Sequence, residues 1–376
     1  MKKIGFTLAV CTILAVCGCA ENDENGNTIQ ELNGTYLFGN IPDEIKAKLP
    51  MEAVKSIPDI GLYPSDIEVY GDYAYVVDSG NNAIHRIHLE SLNVDKAYID
   101  LGQNAGPFAV HVNDKAVYVS CQGSVSAVYR FDLNDNLSQT TVLEQTTFKA
   151  PTDIVTYGDD KFVVLDSEYD YANMTAAGSV YGLDNTGNVY SLKTVAQDPV
   201  FADILNINGQ ELVAWVTAGV VTWGTETIPP ENSCLEFFDS TDSSHVLRSV
   251  CMKNLSLGRM AVTDTSVCVG NALLSQIHCI AKGSLKTANQ FEETIAIHEN
   301  DLGLTTPVSV GDHRLAVIDF NRDTISWIEE GNVLHLRLSP SEDAPKGPID
   351  AVYDAKRQQI LVLHSTAGSV DVLHVK

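Results

Sequence analysis

The sequence predicts an all-β fold: a β-propeller of seven four-stranded blades closed by an N-terminal strand. Three observations predict it. A similar unit restarts along the chain every 40–50 residues or so, the signature of a propeller or another array. Most units open with Pro or Gly, then run through an apolar strand, a polar turn and a second apolar strand. The last unit is one strand short, so a strand from elsewhere must complete it.

The best-formed unit is PSDIEVYGDYAYVVDSGNNAIHRIHL, Pro64 to Leu89. Asp66–Tyr70 reads as a strand, Gly71-Asp72 as a turn and Tyr73–Val77 as a second strand. A turn cluster, Asp78 to Asn82, leads to a third strand over Ala83–Leu89, and a fourth lies near Lys96–Asp100. Similar restarts stand at Pro107, Pro151, Pro199, Leu257, Pro307 and Pro348. The inner runs KFVVLD, RLAVID and QILVLH are apolar on both faces, as expected of a sheet packed between two neighbours. A β-sandwich or a solenoid does not explain seven similar units. The strand that closes the ring is expected within 51–60 (MEAVKSIPDI), after a short helical turn within 45–54.

Pro64–Leu89, and less completely Pro151–Ser167 and Pro307–Phe320, resemble the YncE-like and NHL-type repeat propellers of bacteria, a WD40/YVTN-like class. The shared features are a P-x-[DG]-[IV] start, a YVVDS-like second strand and an NN-[AR]-I third strand. The resemblance implies the propeller but not a task, because such folds host many functions. Some relatives of that class are associated with DNA, a role that the charge below argues against.

The chain begins with a targeting segment over residues 1–18. Lys2 and Lys3 precede an apolar run, Ile4–Val16, which is too short to span a membrane. The ending VCGC resembles a bacterial lipoprotein signal, with Val16, Cys17 and Gly18 before the cleavage and Cys19 as the lipidated first residue. An ordinary cleaved signal with incidental cysteines is the alternative. Ala20, rather than Asp, follows Cys19, which by the same resemblance favours the outer membrane in a diderm host. Residues 19–33 read as a polar tether, and the propeller is expected over 34–376. Glu21, Asp23, Asn25 and Gly26 superficially resemble a calcium loop, but Leu32 stands where that loop needs Glu. Two insertions, Glu168–Ala177 and Thr222–Ser233, lengthen loops in the third and fourth units, where binding function often resides.

The formal charge is -25. Loss of Lys2 and Lys3 with the signal leaves 22 basic and 49 acidic residues, a charge of -27. Such a chain should repel nucleic acid and anionic lipid surfaces, since phosphate binding relies on Lys and Arg. After export and lipidation five cysteines remain, in a compartment where disulfides persist. Cys234 and Cys251 flank the hairpin CLEFFDS–TDSS–HVLRSVC symmetrically, and Cys268 and Cys279 flank the next unit's turn, so two bridges are expected. Cys121 is left over, expected to be buried. No zinc, thioredoxin-like or haem-attachment spacing occurs.

Motifs for hydrolytic or phosphate chemistry are absent. One constellation comes from the repeat. The start of a blade's first strand and the end of its second emerge on one face. That face gathers Asp66, Asp153, Asp203 and Asp350 from strand starts, and Asp78, Asp166, Asp319 and His364 from strand ends. These residues could hold Ca²⁺ at a channel mouth, or they could cap turn N–H groups, repeating because the turn repeats. Two functions follow. The first is a non-catalytic envelope scaffold that needs no cofactor, anchored to the membrane by lipid and binding another envelope protein or a small ligand. The second is a Ca²⁺-assisted hydrolase or lactonase that uses the acidic channel.

Overall fold

The computed structural model describes residues 32–376 apart from 136, 145–147, 159–160, 171–174, 184–188, 194–197, 219–231, 243–246, 254–255, 272, 299–302, 312 and 342–343. These residues form seven antiparallel sheets arranged as the blades of a propeller. The first strands are Pro64–Tyr70, Pro107–Val112, Ala150–Tyr157, Pro199–Ile207, Leu257–Val262, Thr305–Ser309 and Pro348–Asp354. They begin within two residues of the restarts read from the sequence.

The apolar runs follow from the alternation of side chains across a strand. Ala74 and Val76 pack towards blade seven, against Leu361, Leu363, Val370 and Val372. Tyr75 and Val77 point the other way, into blade two beside Val117 and Val119. In blade four, Leu212, Ala214 and Val216 meet blade five, while Val213 and Trp215 meet blade three. Among the described residues there are seven such clusters, one at each boundary between blades. Burying one Leu- or Val-sized side chain contributes roughly 1.5–3 kcal/mol, so stability is spread round the ring.

Met51–Ile57 pairs antiparallel with Ser369–Val375 as the outermost strand of blade seven, Met51 opposite Val375 and Ile57 opposite Val370. Closure therefore ties an early strand to the last one and gives blade seven its fourth strand. A feature not expected from the sequence lies beside it: Thr35–Tyr36 adds a fifth, parallel strand to blade six, next to Asn332–Arg337. Leu32 is buried in the cluster shared by blades six and seven, and Asn33 Oδ1 accepts the His335 N–H at 3.0 Å. The folded part thus includes residues 32 and 33, assigned above to the tether. The helical turn is Asp43–Lys46.

The first insertion is a longer hairpin and not a free loop. Lys161–Asp170 and Thr175–Leu183 stay paired out to Asp170 and Thr175. Most of the second, with Trp223, Pro229 and Pro230, lies outside the described residues, as do the signal segment and Cys19. Disulfides join Cys234 to Cys251 and Cys268 to Cys279, each pair directly opposite across two strands. Cys121 is free and buried, and burial pushes its thiol up to about 12.

Candidate functional site

The first strands line the channel, and in most of them the pairing slips by one residue near the start. Shifts fall between Pro64 and Asp66, Pro107 and Ala109, Pro151 and Asp153, Pro199 and Phe201, and Pro348 and Asp350. A bulge of this kind re-aims the side chain that follows it. Here the following carboxylates reach into the next blade. Asp350 Oδ2 accepts the Ile67 N–H at 3.1 Å, Asp66 Oδ2 the Val110 N–H at 2.7 Å, and Asp153 Oδ2 the Ala202 N–H at 2.8 Å. Residues at or beside the bulge add straps: the Ser65 hydroxyl donates to the Phe108 carbonyl and the Thr152 hydroxyl to the Pro199 carbonyl, both at 2.7 Å.

Arg259 enters the same layer from blade five. Its guanidinium pairs with Asp66 and, at 2.9 Å, with Asp350, and it lies 4.5 Å over the Phe201 ring. Burial disfavours the guanidinium charge, but Asp350, Asp66 and Asp153 outweigh burial and hold its proton more firmly than usual. Burial, with repulsion from Asp66, holds the Asp350 carboxyl well above the usual carboxylate range despite Arg259. The same two causes push Asp153 to about 7. A cavity of about 270 Å³ opens beside this group, lined in part by Phe201, Asp203, Arg259, Ser309 and Tyr353.

Asp203 is not equivalent to the other strand-start aspartates. Phe201 holds the position after the bulge in blade four, and Asp203 stands two residues further along the strand. It is enclosed by the protein, which pushes its carboxyl to about 6, yet it faces open space in the channel and is exposed. Water there should temper the shift. At the same depth His111 Nδ1 lies 3.3 Å from Glu68 Oε1. Burial opposes the charge of this imidazole, but Glu68, Asp153 and Asp203 together raise its proton affinity. Arg259, Glu68 and His111 belong to the channel and were not singled out from the sequence. The signal available was their spacing from each restart, two residues for Arg259 and four for the others.

The strand-end residues do not join this group. Asp78 accepts the Leu62 N–H at 2.8 Å, the Asn81 N–H at 3.1 Å and the Asn81 amide at 2.7 Å, and meets His85 Nε2 at 2.9 Å. Burial opposes its charge, but these bonds outweigh burial and hold its pKa below the usual value. Asp166 accepts the N–H groups of Lys149 and Ala150 at 3.0 and 2.9 Å, and burial still pushes it to about 6. Asp319 accepts from the Ser275 hydroxyl and the Asn321 N–H. His364 Nε2 lies 2.9 Å from Asp371 Oδ2, which also receives Lys346 Nζ at 2.8 Å. These are loop and hairpin fastenings. A partner seven residues on recurs in three of the blades: Asp78 with His85, Asn271 with His278, and His364 with Asp371. That spacing was legible in the sequence and was missed.

Of the eight predicted residues, the fold brings together Asp66, Asp153 and Asp350, with Asp203 one pleat away. It keeps Asp78, Asp166, Asp319 and His364 apart. Among the described residues no group of three or more His, Cys, Asp or Glu side chains is arranged to hold a metal ion. At the centre, where Ca²⁺ was one of two alternatives read from the sequence, stands Arg259. A second feature of the same face is apolar. Leu62, Tyr63, Phe108 and Val125 are exposed on blades one and two, Tyr63 by 67% with its backbone at φ 56°.

No protein-family profile matches the chain, and no curated protein matches its sequence. Solved structures do resemble it. The Cps50 (Swd1) β-propeller domain of Myceliophteria thermophila aligns over 87% of this chain and all of that one, with a TM-score of 0.62 and 12% identity. A nidogen/laminin complex contains a chain aligning over 68% of this one and 90% of its own length, with a TM-score of 0.45 and 14% identity. The first likeness shows the fold: a seven-bladed β-propeller. At such identity it says nothing of function.

Proposed function

We propose that the protein is an envelope lipoprotein, held through Cys19 at the outer membrane, whose propeller is a non-catalytic scaffold for another envelope protein. The observation that carries the scaffold reading is the apolar group Leu62, Tyr63, Phe108 and Val125, exposed on one face of two adjacent blades. An apolar surface left exposed on one face is the kind of feature that a protein partner covers. Tyr63 supports it further, because a left-handed backbone at a bulky residue is a local cost that persists where the surroundings impose it. The channel itself holds an ion cluster around Arg259. The anchor rests on the VCGC ending, and membership of the YncE-like and NHL-type class rests on the repeat motif.

Two measurements test the reading. Labelling with a radioactive fatty acid should mark the protein and fail for Cys19→Ser. A photo-crosslinking residue at Tyr63 or Phe108 should capture one discrete envelope partner in living cells, whereas one at Asp95, on the outer strand of blade one, should not. Equal capture from both positions would count against the face proposed.

A second reading, a hydrolase, draws on Asp153, whose carboxyl at about 7 is suited to trade protons near neutral pH. It needs Ca²⁺ to enter beside or displace Arg259, which makes it the weaker of the two.

A further inference from the structure

A cavity of about 480 Å³ lies away from the channel, at the boundary of blades five and six, next to the added strand Thr35–Tyr36. Its lining departs from the character of the chain. The protein carries 24 Lys and Arg against 49 Asp and Glu, yet Arg322, Arg337, His298 and His335 meet here. The one lining acid, Asp323, is buried, and its Oδ1 accepts the N–H groups of Lys346 at 3.0 Å and Gly347 at 2.8 Å. Its charge is thus committed to the backbone.

Arg337 carries the argument. It is half-buried and donates to the carbonyls of Ser339 at 3.4 Å and of Pro340. Among the described residues no carboxylate pairs with it. Carbonyls orient a guanidinium without neutralising it, so the pocket holds a positive charge awaiting an anion. The two imidazoles stack beside it with centroids 4.3 Å apart. His335 Nδ1 is tied to the Ser326 hydroxyl at 2.8 Å, and His298 Nε2 lies 3.3 Å from Thr324 Oγ1. Burial and the neighbouring His298 hold His335 down at about 4, so it is neutral near pH 7 and can gain a proton beside an anion.

We propose that this cavity binds a small phosphate-type oxyanion through Arg337, with His335 and His298 completing the site. Its donors, a guanidinium and two imidazoles, come from two elements, the connection into blade six and the fourth strand of that blade. A guanidinium flanked by imidazoles offers several N–H donors to the several oxygens of a phosphate-type anion. The overall charge of the chain disfavours extended polyanions and membrane surfaces, which points to a free solute in preference to a lipid headgroup. Glu299, Asp301, Glu342 and Asp343 flank the pocket in sequence and lie outside the described residues. The inference does not depend on the lipid anchor or on the scaffold reading.

The test uses the full chain carrying Cys19→Ser, with inorganic phosphate as the probe and chloride or acetate at matched ionic strength as controls. Phosphate alone should raise the melting midpoint saturably. Arg337→Gln should weaken phosphate at least tenfold. His335→Gln, a second variant that keeps the strand, should weaken it severalfold while still melting cooperatively. A shift equal for chloride, or unchanged in both folded variants, would overturn the proposal. Sedimentation with phosphatidylglycerol vesicles separates the sources. Co-sedimentation abolished by Arg337→Gln assigns the phosphate to a lipid headgroup, and a phosphate shift without co-sedimentation assigns it to a free solute.

Discussion

Two sets of acidic residues share one face of the propeller and meet different fates. Those after the first-strand bulges, Asp66, Asp153 and Asp350, converge on Arg259. Those at the second-strand ends, Asp78, Asp166 and Asp319, fasten the adjoining loops instead, Asp319 reaching Ser275 of blade five. Both sets follow the same repeat and lie at the same height. They differ in distance from the axis. A side chain on an innermost strand faces other first strands across the channel, as Arg259 faces Asp66 and Asp350, whereas one strand further out its neighbours are the adjoining loops. In a radial fold, convergence of charge depends on radius more than on face.

Removing the cation is the harshest way to break this comparison. Arg259→Leu would leave Asp66, Asp153 and Asp350 facing one another without a counter-charge. Breaking a buried ion pair by deleting one partner costs about 3–5 kcal/mol. The variant should therefore lose that much by denaturant midpoint at pH 7.5 and less near pH 5, below the value of about 7 to which Asp153 is pushed. Arg259→Lys should lose less at both values. A loss independent of pH would mean that the guanidinium acts by packing on Phe201 alone.

A change in the outer set should be smaller and local. Asp78→Ala deprives Leu62 N–H, Asn81 N–H and His85 of their acceptor. Leaving a buried donor unmatched costs about 1–3 kcal/mol. Amide exchange should quicken in 60–64 and 79–85, with the channel strands unchanged. Faster exchange around Asp153 would instead show that the two sets are coupled.

The pH dependence of the intact protein sharpens the contrast. Asp153 is pushed up to about 7 and Asp203 to about 6, above the usual carboxylate value. The folded state then holds protons that the unfolded chain has already released, so stability falls as pH rises from about 4 to 7. Each fully linked proton changes stability by at most about 1.4 kcal/mol per pH unit, and exposure of Asp203 to channel water reduces its share. Asp153→Asn should flatten this slope. Asp78, held below its usual value, works in the opposite sense: its contribution is present above that value and fades only as pH drops through its lowered pKa. Asp166 crosses the grouping. With Lys149 and Ala150 as its donors, burial prevails and raises it to about 6.

Most of the architecture was legible because it is periodic. The blade starts, the closing strand at Met51–Ile57 and both disulfides follow from spacing and alternation, which a single chain displays. The parallel strand Thr35–Tyr36 was not legible, since two residues carry no period. The site was legible only in part. The eight chosen residues were sorted by face, and the radial difference that separates them cannot be seen without knowing which strands slip at a bulge. Arg259 was overlooked because its unit had lost the opening proline, and Asp203 was placed two residues out of register because Phe201 fills the equivalent position.

The smallest expected effect decides between the two functional readings. Calcium could enter the channel only by adding a hard cation next to the Arg259 guanidinium or by displacing it. Arg259 already compensates Asp66 and Asp350, Asp153 is pushed to about 7, and burial raises Asp350 above the usual carboxylate range, which weakens both as calcium ligands. Calcium should therefore leave the melting midpoint where magnesium at equal ionic strength leaves it. A site that bound calcium only in the folded state would add about 2.7 kcal/mol at a hundredfold excess over its Kd. That would be a shift of a few degrees for a domain of this size. Arg259→Met is the sharper version of the test: with the guanidinium gone, the carboxylates become available, and a calcium response should emerge above pH 7. A calcium response in the unaltered chain, lost in Asp66→Asn, would mean that Arg259 is displaceable, and would turn the reading towards metal-assisted hydrolysis.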